Sequence, residues 1–137
     1  MIDTADRLAI HELLADYGNL IDERQFSRTH ELFTADARYV LIGFGTAIDG
    51  LVVGHAAIAD FWRDPAQHPL AHHVTNVRVT EDADGTVRVH SKIIGVGNKG
   101  RVGSATYHDV VVKTSAGWRM SERVITLRTP DSIPAPH

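Results

Sequence analysis

The sequence contains no cysteine. Disulfide bonds, thiolate metal sites and a thiol nucleophile are therefore excluded, and nothing in the chain requires an oxidising compartment. Long hydrophobic runs are absent as well, because no stretch approaches the ~18 uninterrupted apolar residues of a membrane span. The opening residues 1–6 lack the basic segment and the apolar core of a secretory signal. These absences predict a cytoplasmic protein that does not associate with membranes.

A concentration of positive charge is also missing. The chain carries 14 Lys and Arg residues against 17 Asp and Glu residues, for a formal net charge of -3. The basic residues are scattered along the chain, with no run that would follow a phosphate backbone. Nucleic acid is therefore not expected as a partner.

The sequence has none of the common cofactor or nucleophile motifs. It lacks a phosphate-binding Gly-x-x-x-x-Gly-Lys loop, a Gly-x-Ser-x-Gly elbow and a strand-linked Gly-x-Gly-x-x-Gly that leads into a helix. The glycines at 95 and 97 are more simply explained as strand ends or bends. It also lacks the His-Glu-x-x-His spacing of a zinc helix. We expect no cofactor and no metal.

What is present is the composition of an ordinary globular domain. The 137 residues are 43% hydrophobic and 23% charged, which is close to the average of soluble domains. We predict one domain over residues 1–129. Residues 130–137 contain three prolines, which disfavour a continued strand, and are predicted to form a tail.

Helical patterns dominate the first half of the chain. Asp3 and Thr4 are candidate caps of a helix of roughly five turns that ends near residues 22–24. Its apolar spacing places these residues on one face: Ile10, Leu14, Tyr17 and Ile21. A second helix is predicted around 26–33 and a third over 55–62, with a strand over 37–42 between them. Glycines at 50 and 54 frame a connection, and prolines at 65 and 69 break the chain.

The sequence from position 71 to 128 is typical of β-strands. Runs over 71–80, 86–96, 101–113 and 118–128 are separated by turn-forming residues, so an antiparallel meander is the simplest topology. Strands grouped after helices indicate an α+β fold in which helices cover one face of a curved sheet. Such a bent sheet can enclose a pocket.

Five segments resemble the SnoaL-like domain, a branch of the NTF2-like superfamily. They are AIHELLADY at 9–17, LID at 20–22, LAHHVTNV at 70–77, GSATYHD at 103–109 and GWRMSER at 117–123. The resemblance covers nearly the whole chain in the family's order. It implies an NTF2-like cone, an α+β barrel whose mixed, mainly antiparallel sheet wraps around three helices of the N-terminal half.

Within this superfamily the chain most resembles scytalone dehydratase and hexachlorocyclohexane dehydrochlorinase, both metal-free and cofactor-free lyases. The resemblance implies that Asp22 and His72 act together as a general base, and that Tyr17, Tyr39 and Phe61 line the pocket. The chain departs from the dehydrochlorinase at Tyr17, where that enzyme has a lysine. It departs from scytalone dehydratase in having Ile21 before the aspartate, where that enzyme has a tyrosine.

Some positions allow two interpretations. Strict alternation along the strand groups His73 with Val77 and Val79 and would turn it inward, whereas a β-bulge would favour His72, as the resemblance does. His108 is a candidate pocket residue if its side chain points inward. An outward position on the strand would place it away from the pocket. Asp22 alternatively serves as a helix-end or capping residue.

We therefore expect a lyase or isomerase of the dehydratase or cyclase type that uses the Asp22–His72 base on a small, largely apolar, cyclic substrate. The alternatives are a non-catalytic binding or assembly module of the same fold, and an oxygenase small-subunit-like protein. Because the open sheet of such domains commonly buries one face against a copy of itself, a homodimer or homotrimer is expected.

Overall fold

The computed structural model describes residues 1–64 and 68–137. Helix α1 spans Thr4–Asp22, and its start is a capping box. The Asp3 side chain accepts a hydrogen bond from the Asp6 backbone N–H, and the Asp6 side chain accepts one from the Asp3 backbone N–H. The first predicted helix is thus confirmed in type and extent.

The segment after α1 differs from the prediction. Residues Phe26–Glu31 form a short 3-10 helix, and strand β1 spans Phe33–Ile42. The predicted helix end at 32–33 is wrong, because Phe33 already pairs with Met120 of the sheet. A four-residue strand, β2 at Gly50–Val53, lies where a connection was predicted and pairs antiparallel with β1.

The third predicted helix is present as α2, which spans His55–Trp62. Pro65, predicted to break the chain after it, lies outside the described residues, whereas Pro69 lies in the connection that leads to the next strand.

Four long strands complete the sheet within two residues of their predicted bounds. They are β3 at Ala71–Glu81, β4 at Val87–Val96, β5 at Val102–Thr114 and β6 at Gly117–Leu127. The described residues form a six-stranded sheet in the order β2-β1-β6-β5-β4-β3. The predicted meander is confirmed for β3 to β6, and β1 pairs parallel with β6.

The sheet is curved but its described strands do not close into a barrel, since β2 and β3 remain its edges. Helix α1 packs against β3, and α2 packs against β1. Trp62, the last residue of α2, is fully buried, with its ring 5.4 Å from that of Tyr17 and 5.9 Å from that of Phe33. This aromatic cluster fills one part of the space that the sheet encloses.

Within the two described ranges, no helix is both long enough and apolar enough to cross a membrane.

Candidate active site

A cavity of about 590 Å³ lies between the sheet, the helices and residues 68–70, which precede β3. Its volume falls in the range of roughly 300–1,000 Å³ that is usual for small-molecule sites. Apolar residues form most of its wall: Leu41, Phe44, Ile48, Phe61, Ile93, Ile125 and Leu127. Polar side chains also line it: Tyr17, Tyr39, Tyr107, His68, His72, Asn98, Arg101 and Ser104. The exposed residues Leu70 and Val102 mark its open side.

The structure brings Asp22 and His72 together at this cavity. Asp22 is the last residue of α1, and its Oδ1 lies 2.6 Å from His72 Nδ1, while its Oδ2 accepts the His72 backbone N–H at 2.9 Å. Both side chains are largely buried, at 17% and 7% exposure. Because a carboxylate only accepts hydrogen bonds, Nδ1 carries the proton and Nε2 is the basic nitrogen.

A β-bulge in β3 decides which histidine faces the cavity. The pairing of β3 with β4 shifts register between Thr75 and Arg78, and Asn76 has a φ of 54°. The extra residue reverses the alternation, so that His72 lies on the same side as the buried Val79, and His73 is exposed. Strict alternation would have selected His73.

The two tyrosines named by the resemblance contact each other. The hydroxyls of Tyr17 and Tyr39 are 2.7 Å apart, and the Trp62 indole N–H donates to Tyr39 at 3.4 Å. Burial raises the pKa of both phenols well above the usual 10, so both remain protonated at neutral pH. Phe61 also lines the cavity, with its ring 5.9 Å from that of Tyr39.

The position of His108 corrects the prediction that it reaches the pocket. His108 is exposed on the outer face of β5, where its ring lies 4.8 Å from that of His90. The strand alternates, so the neighbouring Tyr107 and Asp109 are buried on the inner face.

A buried ion pair between Arg123 and Asp109 packs against two of the cavity tyrosines. Arg123 donates two hydrogen bonds of 2.7 Å to Asp109, and neither side chain has any exposure. The guanidinium carbon lies 4.0 Å from the Tyr17 ring centroid and 4.1 Å from that of Tyr107. Arg123 is therefore neither a surface charge nor a residue of the cavity rim.

Sequence reasoning missed most of the cavity-lining residues, among them Tyr107 and His68. Tyr107 is 3% exposed, and burial raises the pKa of its phenol well above 10. The alternation of Ala105, Tyr107 and Val111 as apolar positions was the signal that could have found it. His68 had no such signal, because it lies in a connection between two prolines, Pro65 and Pro69.

The environment of His68 is unusual. Burial, followed by the proximity of His72, lowers the pKa of the His68 imidazole to about 4, so the ring is neutral at pH 7. Among the described residues, no three His, Asp or Glu side chains converge in an arrangement that could hold a metal ion.

The model of the SnoaL-like domain family matches residues 3–124. The beta subunit of 2-aminobenzenesulfonate 2,3-dioxygenase from Alcaligenes sp is 28% identical over 138 residues, which cover 90% of this chain and 92% of that subunit.

Solved structures carry the same fold. An NTF2-like protein with a cystatin-like fold from Novosphingobium aromaticivorans is 28% identical, with a TM-score of 0.73 and coverage of 93% of this chain and 85% of that one. A protein from the same species, provisionally named a scytalone dehydratase, is 20% identical, with a TM-score of 0.68 and coverage of 93% and 89%. These likenesses confirm the predicted NTF2-like fold.

Proposed function

The chain belongs to the SnoaL-like domain family, and on that basis we propose that it is a cofactor-independent lyase or isomerase whose Asp22–His72 pair removes a proton from carbon. The substrate is a small, largely apolar, cyclic compound. The observation that carries the proposal is the double contact of Asp22 with His72 beside a cavity of about 590 Å³. An oriented imidazole in a sheltered, mostly apolar space is suited to general base catalysis.

In the proposed reaction, His72 Nε2 takes a proton from a carbon next to a carbonyl. Asp22 stabilises the imidazolium that forms, as a carboxylate on the opposite ring nitrogen does in general. The carbonyl oxygen gains negative charge, and a tyrosine hydroxyl donates a hydrogen bond to it. The contact between Tyr17 and Tyr39 uses only one of their two hydroxyl hydrogens, which leaves one for this role.

The proton then returns to a leaving hydroxyl, in a dehydration, or to another carbon, in an isomerisation. Both outcomes begin with the same step, so the proposal concerns that step. Proton transfer by a positioned base contributes typically 10²–10⁴-fold to the rate.

A second candidate is a non-catalytic assembly subunit. The 28% identity to a dioxygenase beta subunit, over 92% of that subunit, favours it. In that case the cavity would bind a ligand or a partner side chain without turning it over. The same experiment separates the two candidates.

The test is the uptake of deuterium by a cyclic ketone in D₂O. The probe is 2-tetralone, whose C1 hydrogens are acidic because the carbanion is both an enolate and benzylic. We expect the wild-type protein to accelerate exchange at C1, and His72→Gln to lose about 10²–10⁴ of that acceleration. His73→Gln is the matched control, since His73 is the adjacent but exposed histidine. No acceleration by the wild type, or equal rates for the two variants, would contradict the proposed base.

A further inference from the structure

His68 lies beside the proposed base, His72, and has no role in the proposed proton transfer. Its ring centroid is 6.0 Å from that of His72, and its ring meets Phe61 edge-on at 6.1 Å. Both histidines line the same cavity. Neighbouring atoms of one small ligand can therefore reach both imidazoles.

The His68 ring nitrogen Nε2 has an unmet hydrogen-bonding capacity. In the described part of the chain, three buried side-chain nitrogen or oxygen atoms have no partner: His68 Nε2, Ser91 Oγ and Arg123 Nη1. Of these three residues, only His68 lines the cavity. Buried polar groups are normally paired. Nε2 has almost no accessible surface while His68 lines the cavity, so we expect the ring to turn when a ligand binds and to pair Nε2 with a polar atom of that ligand.

We propose that His68 forms an oxygen-binding subsite, in which its imidazole ring holds a hydroxyl or carbonyl oxygen of the ligand next to the carbon that His72 deprotonates. The inference rests on the proposed function only in assigning this cavity to the substrate. The ligand class is an oxygenated ring compound, whose hydrocarbon part lies against the apolar wall formed by residues such as Phe61 and Ile125.

The different roles proposed for His72 and His68 have a physical cause. Asp22 holds the His72 ring at Nδ1, whereas His68 Nε2 has no hydrogen-bond partner within the part of the chain that the structure describes. Burial and the nearby His72 lower the pKa of the His68 imidazole to about 4, so this ring is neutral at pH 7. A neutral imidazole has one donor and one acceptor nitrogen, so its tautomers serve either a carbonyl or a hydroxyl.

The test compares two ligands of the same shape, 1-tetralol and 1-methyltetralin. The first carries a hydroxyl group at the position where the second carries a methyl group. Their dissociation constants are measured by calorimetry or by fluorescence of the protein. In His68→Phe, which keeps an aromatic ring but removes the hydrogen bond, the affinity ratio should move toward 1-methyltetralin by roughly three- to tenfold. His68→Gln keeps a polar group near Nε2 and should retain more than half of the wild-type preference on a logarithmic scale. It also tests the proposal if the phenylalanine variant does not fold.

His73→Phe is the control, because it makes the same substitution at an exposed neighbour, and it should leave the ratio unchanged. An unchanged ratio in His68→Phe overturns the proposal, as does an equal shift in His73→Phe or failure of the wild type to bind 1-tetralol at millimolar concentration. The readout is binding, so it is independent of deuterium exchange. If the affinity ratio shifts but the wild type does not accelerate deuterium exchange, the subsite is supported and the lyase proposal is refuted. If exchange is accelerated but the affinity ratio does not shift, the lyase proposal is supported and the subsite is refuted.

Discussion

Asp22 holds His72 through both of its carboxylate oxygens, although the two residues are 50 positions apart in the chain. One oxygen accepts the backbone N–H of His72 at 2.9 Å and the other lies 2.6 Å from its Nδ1. The first contact fixes the strand against the end of α1, and the second fixes the orientation and tautomer of the ring.

Asp22→Asn should invert that tautomer. The asparagine carbonyl remains with the His72 backbone N–H, so its NH₂ group faces Nδ1 and requires Nδ1 to accept. The proton then moves to Nε2, and exchange of 2-tetralone should fall by about 10²–10⁴. Long-range ¹H–¹⁵N spectra of histidine-labelled protein report the tautomer directly. An unchanged tautomer with an unchanged exchange rate would contradict this account.

Gly18 is predicted to be required for the geometry of the pair. A Cβ at this position would lie 3.2 Å from the His72 carbonyl oxygen and 3.4 Å from the His72 Cβ, so Gly18→Ala should displace His72 by a few tenths of an ångström. The gain in helix propensity, about 1 kcal/mol, offsets part of the strain. We expect a change in unfolding free energy of no more than about 1 kcal/mol and a loss of exchange activity of roughly tenfold.

The comparison variant for Gly18→Ala is Asp16→Ala, on the exposed side of the same helix. It should leave both the unfolding free energy and the exchange rate close to wild type. If Gly18→Ala retains full activity, the close approach of α1 and β3 is not needed for catalysis.

Removing one member of the buried ion pair should be strongly destabilising. Asp109→Leu leaves the Arg123 guanidinium, which has no exposure, without a counter-charge, and should cost about 3–5 kcal/mol of unfolding free energy. Urea denaturation measures this. The double variant Asp109→Leu/Arg123→Met should recover most of the loss, because the apolar side chains pack between Tyr17 and Tyr107 without a buried charge. A double variant as unstable as the single one would argue against the charge as the cause.

His68 should make the stability depend on pH. Its pKa is lowered from 6.5 to about 4 in the folded protein, so between these values the unfolded chain binds more protons and stability falls as the pH falls. Allowing for partial exposure, the loss from pH 7 to pH 5 is on the order of 1–2 kcal/mol. Below about pH 4 this contribution no longer changes.

The His68 effect is isolated by subtraction. The difference in unfolding free energy between the wild type and His68→Gln, measured at pH 7 and pH 5, cancels the other titrating groups, since glutamine does not ionise. A difference that stays constant over this range would show that His68 titrates near its usual pKa.

Much of the secondary structure could be predicted because its causes are local. The capping residue Asp3 and the apolar period of α1 lie within one continuous segment, and β3 to β6 are bounded by turn residues. Strand β2 was missed because its four residues, which begin with Gly50 and precede Gly54, carry too little pattern. The strand forms through its pairing with β1. Phe33 was assigned to a helix for the same reason, since its partner Met120 is far away in the chain.

The candidate site divides in the same way. The family resemblance named Asp22, His72, Tyr17, Tyr39 and Phe61 from short sequence patterns, and all five lie at or beside the cavity. It could not find His68, which reaches the cavity from an irregular connection, or decide the direction of His108, which depends on the register of β5.

The sequence by itself determined the α+β class, the long helix and the four-stranded meander, because helix and strand periods express the burial of one face by neighbouring residues. Only the tertiary structure decided that His72 faces inward, since that depends on one extra residue at Asn76 in the pairing of β3 with β4. It likewise decided that Arg123 is buried, because its partner Asp109 lies on the adjacent strand. Contacts between residues distant in the chain depend on register and bulges, which no local pattern encodes.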